Sequence, residues 1–169
     1  MWMEVYYAAH FIAKLFTGKL LAERFHITTG FRPGQRVIIE HLIQGKRILV
    51  LQRTGWGKSL CYQMASLYHP YLTLVFSPLK ALMRDQCQCC NDVYKIPSAI
   101  VSSDFSQAEN EATLAQVVEG EIKVLYGLFD NVFRRSSWTG LWRMWTLPTS
   151  QLSICADIQE DTKSGRSIP

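Results

Sequence analysis

The chain has 169 residues, 48% of them hydrophobic and 19% charged, with 18 Lys and Arg against 14 Asp and Glu and a formal net charge of +4. Domains run to about 100 to 150 residues, so this length allows one domain with its own core and excludes two of that size. The composition excludes disordered and collagen-like chains, and the small positive balance favours an anionic partner without naming one.

The first 25 residues are apolar and aromatic, but Glu4, His10, Lys14, Lys19, Glu23 and Arg24 interrupt them, well short of the ~20 apolar residues of a membrane span. No small-residue cleavage site follows, so a helix packed on the domain edge is favoured over a secretory signal or an amphipathic mitochondrial presequence. Ile12, Leu15, Phe16, Leu20 and Phe25 recur at nearly helical spacing, and Thr28-Thr29-Gly30 closes the segment. After Arg32-Pro33-Gly34, residues 37–43 read as a second helix, with Pro33 near its first turn and Gly45 just past its end.

Arg47-Ile48-Leu49-Val50-Leu51 is a short apolar run after a glycine-containing loop, the pattern of a strand buried on both faces. Further strands are expected at 72–76 and 122–126 and a shorter one at 99–101, separated by helices over 58–68, 79–90 and 107–119. Strands alternating with helices of this length imply βαβ units, hence the α/β class with a parallel sheet flanked by helices. From about Leu128 the periodicity stops; the tail carries Arg134-Arg135-Ser136-Ser137, then Trp138, Trp142 and Trp145, then a polar end. The sequence has no internal repeat.

Five cysteines, Cys61, Cys87, Cys89, Cys90 and Cys155, form an odd set without C-x-x-C spacing. They read as reduced thiols, with the Cys87, Cys89, Cys90 group as apolar helix filler rather than a metal site.

The chemistry concentrates in Gln52-Arg53-Thr54-Gly55-Trp56-Gly57-Lys58-Ser59, between the expected strand and helix. Glycines at 55 and 57 let the backbone curl so that successive N–H groups point inward, and the following helix presents its positive end to a phosphate. Lys58 would reach the β- and γ-phosphates and the Ser59 hydroxyl would ligate Mg²⁺. Gln52 stands where the fuller G-x-x-x-x-G-K-S/T pattern has its first glycine. Trp56 is read as a bulky surface substitution rather than a base-stacking residue.

Around this loop lie Phe31-Arg32-Pro33-Gly34-Gln35, Gly57-Lys58-Ser59-Leu60-Cys61-Tyr62-Gln63, Leu72-Thr73-Leu74-Val75-Phe76-Ser77-Pro78-Leu79, Leu82-Met83, Asp85-Gln86 and Gly120-Glu121-Ile122-Lys123-Val124-Leu125-Tyr126. In that order and over about residues 21–126, these segments resemble the RecQ helicases of superfamily 2. The resemblance implies a RecA-like P-loop domain, incomplete at its C-terminal side, over 31–127, with a helical segment at 1–30 before it and a divergent, poorly ordered tail at 128–169. It also implies ATP-dependent, 3′-5′ DNA helicase activity in DNA repair and recombination, with ATP and Mg²⁺ as cofactors and single-stranded DNA or DNA junctions as partners. The implied location is nuclear, cytoplasmic or nucleoid-associated, away from membranes.

Carried over by motif, the nucleotide would be held by Arg32, Gln35, Thr54, Gly55, Gly57, Lys58 and Ser59. Lys58 would act as the catalytic lysine and Ser59 as the Mg²⁺ ligand. The Gln35 carboxamide would meet the adenine edge, with Arg32 assisting. Ser77, Pro78, Lys80 and Arg84 would lie along DNA, with Ser102 and Ser103 as further contacts, although Lys80 and Arg84 read equally well as a solvated helix face.

The departures from the family are as specific as the matches. No aromatic residue lies between Phe25 and Phe31, Gly127-Leu128-Phe129-Asp130-Asn131 replaces a Pro-Glu-Arg element, and no Asp-Glu-x-His follows. Asp157, Glu160 and Asp161 are carboxylates with no expected apolar strand before them. Two readings therefore stand: the ATP-binding domain of a helicase, inactive without a second motor domain or a protein partner, and a non-catalytic nucleotide- or DNA-binding module. The segments at 31–35 and 77–79 argue against a small P-loop kinase.

Overall fold

Thr73–Phe76, a run of one threonine and three large apolar residues, forms strand β1 and is buried at every position. The computed structural model describes residues 19–69, 72–127 and 153–156. In it β1 pairs in parallel on both edges, with Val124–Gly127 (β3) on one side and Ser153–Ala156 (β4) on the other. Ser98–Val101 (β2) pairs in parallel with the outer edge of β3, so the sheet order is β2-β3-β1-β4. The connections carry α1 (Gln35–Ile43), α2 (Lys58–Ser66), α3 (Lys80–Asp92) and α4 (Gln107–Val118), and residues 19–23 are also helical. The expected α/β class with a helix-flanked parallel sheet is the observed one, in the form of an incomplete RecA-like fold.

Successive residues of a strand face opposite sides of the sheet, and both sides here are covered. Val75, Val124 and Tyr126 enter the larger core, with Tyr62 and Met64 of α2, Met83 and Cys90 of α3, and Ile39 of α1. Leu74, Phe76 and Leu125 face the other way, onto Val101 and Val117 of α4. Each such side chain contributes about 1.5–3 kcal/mol on burial, so the sheet carries its helices on both faces rather than on one.

Polar side chains fix the ends of these elements. Asn91 donates to Ser98 O at 2.8 Å and accepts from Ser98 N at 2.9 Å, pinning the start of β2 to α3. Helix α4 opens on a capping box, in which the Ser106 hydroxyl accepts from Glu109 N while the Glu109 carboxylate accepts from Ser106 N.

Two expectations are corrected. Residues 47–51 do not form a buried strand: residues 46–53 have no regular secondary structure, and Leu49 and Leu51 are 84% and 80% exposed. An apolar run becomes a buried strand only where a sheet edge accepts its ladder hydrogen bonds, and residues 47–51 pair with no strand of this four-stranded sheet. Conversely, β4 falls in the tail that showed no strand pattern, and Asp157 follows it directly in sequence. A strand therefore does precede that carboxylate. The tail tryptophans and the first 18 residues lie outside the described residues.

Among the described residues no group of His, Cys, Asp and Glu is arranged to hold a metal ion. Of the three cysteines read as helix filler, Cys87 and Cys90 are buried free thiols and Cys89 is half-buried; Cys61 is also a buried free thiol. Burial pushes the Cys87 thiol up to about 11 and raises that of Cys90. No helix among the described residues is long and apolar enough to cross a membrane.

Candidate nucleotide and nucleic-acid site

Gly55 and Gly57 both have positive φ, +79° and +96°, a conformation that glycine adopts without the cost of a Cβ. Gly57 is the N-cap of α2 and offers no side-chain hydrogen bond to its first turn. The N–H groups and positive dipole end of a nine-residue helix therefore open onto the loop without a side-chain acceptor. Lys58 begins the helix and folds back across the loop, its Nζ donating to Gln52 O at 2.8 Å and Arg53 O at 3.4 Å. An ammonium held by two carbonyls in this way can exchange them for phosphate oxygens, which bind it with charge assistance.

The loop is braced from below by residues of the Phe31–Gln35 segment. Gln35 is 3% exposed; its Oε1 accepts from Arg32 N at 2.9 Å, and its Nε2 donates to Trp56 O at 3.2 Å and Gly57 O at 3.3 Å. Arg32 Nη1 donates to Gly55 O. A Cβ on Gly57 would lie 2.6 Å from Gln35 Nε2, so a larger residue there meets the strain of a positive φ and must also displace the Gln35 amide. In this structure the carboxamide expected at adenine spends its donor on the loop, at Trp56 O and Gly57 O, and its oxygen on Arg32 N of its own turn. Beside it, Arg32, Pro33, Arg53, Thr54, Gly55 and Trp56 line a solvent-open depression of about 440 Å³. Trp56 is half-buried and packs against the larger core, so it is part of the wall rather than a surface appendage.

Ser59 accepts from Gln86 Nε2 at 2.9 Å, and Gln86 Oε1 accepts from Tyr62 Oη at 2.7 Å. A hydroxyl has two lone pairs, so Ser59 keeps acceptor capacity for a cation. The residues present therefore fit Mg·nucleotide: helix N–H groups and Lys58 for the phosphates, and Ser59 for the metal. Gln86 lies on α3, so a hydrogen-bonded chain joins the loop to the helix that bears the second expected site.

That second site is divided. Ser77 is 2% exposed and its hydroxyl accepts from Leu79 N at 3.4 Å, which makes it a turn-former at the start of α3, whereas Pro78 is exposed. Lys80 and Arg84 come together on α3, joined by Asp104 from the loop after β2: Asp104 Oδ1 accepts from Lys80 Nζ, and Oδ2 from Arg84 Nη2 at 2.6 Å. Lys80 Nζ also donates to Ser103 Oγ at 3.1 Å. Ser102 is buried, and its hydroxyl accepts from Asp104 N. The cluster sits beyond the carboxyl ends of β1 and β2, where open α/β sheets gather ligands.

A model of the DEAD/DEAH box helicase family matches residues 32–147. The chain belongs to this family. Within it the chain is RecQ-like. It is 40% identical over 96 residues to ATP-dependent DNA helicase RecQ of Synechocystis sp., covering 57% of this chain and 20% of that protein. It is 40% identical over 96 residues to ATP-dependent DNA helicase Q-like 5 of Arabidopsis thaliana, covering 57% and 10%. Against the RecQ-like DNA helicase BLM of Xenopus laevis the figures are 34% over 113 residues, 64% and 8%. The chain thus spans a fifth or less of the length of these relatives.

For this DEAD/DEAH box helicase chain, sequence reasoning found the loop and missed its supports. Gln86 was visible only as part of a family segment, Arg53 only as a member of the loop, and Asp104 not at all, because its partners lie 20 and 24 residues away in sequence.

Gly57→Ala is expected to lower stability by about 1–3 kcal/mol through its φ and the Gln35 contact. Gly30→Ala, at φ +81° but with open space around its Cβ, meets only the conformational part. Thermal denaturation of both variants checks this, and equal losses would remove the Gln35 contact from the argument.

Proposed function

We propose that this chain is the nucleotide-binding part of an ATP-dependent DNA helicase motor of the RecQ type, holding Mg·ATP on the 52–59 loop and a single DNA strand across the start of α3. The observation that carries the reading is the Lys58 ammonium lying over loop carbonyls at the uncapped start of α2. That arrangement is an anion cradle before any ligand arrives.

Bound Mg·ATP would supply the phosphoanhydride whose cleavage drives such motors. The residues of this chain hold and orient it: Lys58 against the terminal phosphates, Ser59 at the cation, and Arg32 and Gln35 keeping the loop in shape beneath. Adenine contact by Gln35 requires one of its loop hydrogen bonds to be exchanged for the base. Strand binding by Lys80 and Arg84 would be directed at phosphates, without sequence preference, as translocation along a strand requires. Roles in repair and recombination, and a preference for junctions, follow from the RecQ resemblance.

A second reading, a binding module without turnover, is favoured by the absence of any Asp-Glu-x-His in the 169 residues. Phosphoryl transfer to water needs a positioned water and stabilisation of the charge that develops on the γ-phosphate, and an arginine finger alone can contribute about a thousandfold or more. This chain alone is therefore expected to bind Mg·ATP without helicase-rate turnover.

Lys58→Ala should weaken ATP and ADP binding at least tenfold while leaving the melting temperature unchanged, as read by calorimetric titration. Unchanged affinity in a folded variant would remove the loop from the reading, and robust DNA-stimulated turnover by the purified chain would decide against the module.

For DNA, binding of a single strand should be weak and fall with added salt, with a slope of about −0.7 per phosphate contacted. Insensitivity to salt, or preference for one duplex sequence, would contradict contact through phosphates.

A further inference from the structure

Lys80 and Arg84 are four residues apart on α3 and therefore share one face of the helix. The point on which they converge is filled by a carboxylate. Asp104 presents Oδ1 to Lys80 Nζ and Oδ2 to Arg84 Nη2, and Ser103 adds a hydroxyl to Lys80. An ammonium and a guanidinium set around the two oxygens of one anion are also the groups that hold two non-bridging oxygens of a phosphate.

The carboxylate is held in place by its own loop. Asp104 N donates to Ser102 Oγ at 3.2 Å. Asn110 of α4 donates to Ser102 O at 3.0 Å, Phe105 O at 3.3 Å and Ser106 O at 3.1 Å, and accepts from Ser102 N at 3.3 Å. The capping box at Ser106 then fixes where α4 begins. Asp104 keeps 29% of its side chain exposed, against 39% for Lys80 and 58% for Arg84. The cluster is therefore open to solvent and within reach of an incoming anion. The Lys80 hydrogen bond first, and then the charges of Lys80 and Arg84, hold the Asp104 carboxyl below the usual carboxylate range, so it is ionised at neutral pH.

We propose that Asp104 is a built-in counter-ion of the nucleic-acid surface, occupying the seat of a backbone phosphate and giving way when a strand binds. It lowers the affinity of that seat for nucleic acid. Two unpaired cations on an exposed helix would hold any polyanion; with Asp104 between them, a phosphate gains only the difference between two anions. Binding of that kind is weak and readily reversed, as a motor that moves along its strand requires. The inference rests on the reading of Lys80 and Arg84 as strand contacts.

The test is fluorescence anisotropy of a labelled oligodeoxythymidylate over a range of salt concentrations, with the folded state of each variant checked by circular dichroism. Asp104→Asn should tighten binding roughly fivefold at low salt, the scale of exposed ion pairs, and steepen the salt dependence by about 0.7 for the charge no longer cancelled. Asp104→Ser should do the same and serves if the asparagine variant does not fold. In a Lys80→Ala, Arg84→Ala background the gain should vanish. Unchanged or weaker binding by the Asp104 variants, while the Lys80 and Arg84 variant loses binding, overturns the counter-ion role and leaves the strand reading standing. Wild-type binding by the Lys80 and Arg84 variant overturns the strand reading, and this inference with it.

Discussion

The close approach of Gln35 to Gly57 sets the form of the nucleotide loop. With its Oε1 on Arg32 N and its Nε2 on the carbonyls of Trp56 and Gly57, the carboxamide ties the turn before α1 to the turn before α2. The contact is possible only because residue 57 has no Cβ. A buried amide left unpaired costs about 1–3 kcal/mol, so the three bonds make the loop shape and the packing of α1 on α2 one cooperative choice. The direction of Lys58 follows, since it is the first residue after the positive-φ glycine that starts α2.

From there the connection runs through α2 into α3. Tyr62 and Gln63 sit in the part of the chain that resembles RecQ, and their side chains are buried at 6% and 4% exposure. Tyr62 donates to Gln86, which donates to Ser59, and Gln63 reaches Tyr126 Oη at 3.5 Å. Residues that look like a helicase signature are thus the polar pins of the core. Gln86 holds the Ser59 hydroxyl, and Lys80 and Arg84 stand on the same helix as Gln86. One helix and one side-chain amide thus join the 52–59 loop to the Lys80 and Arg84 cluster.

Much of the fold was legible because burial writes itself into local pattern. The runs at 72–76, 99–101 and 122–126 became β1, β2 and β3 within a residue or two, and the helices between them fell where they were expected. What local pattern cannot carry is the availability of a partner. Residues 47–51 have the composition of a buried strand and lie exposed, with Leu49 and Leu51 in solvent, because a strand exists only against a sheet edge. Ser153–Ala156 has too short an apolar run to announce itself, yet it pairs in register along the whole of β1. In the site, glycine spacing and the Lys-Ser pair revealed the loop, whereas the pairing of Asp104 with Lys80 and Arg84 depends on the loop after β2 reaching α3 in space. The Ser106 and Glu109 capping box matches S-x-x-E in the sequence, a local signal that the reading of 107–119 as a helix did not use.

The central claim is that a preformed anion cradle lies between Gln35 and the start of α2, and amide chemical shifts of the labelled protein test it most directly. On addition of Mg·ADP, the backbone amides of 53–59 and the side-chain amide of Gln35 should shift together and saturate together, while α4 on the opposite face of the sheet stays unmoved. Shifts centred elsewhere, or none at a saturating concentration in folded protein, would contradict the account.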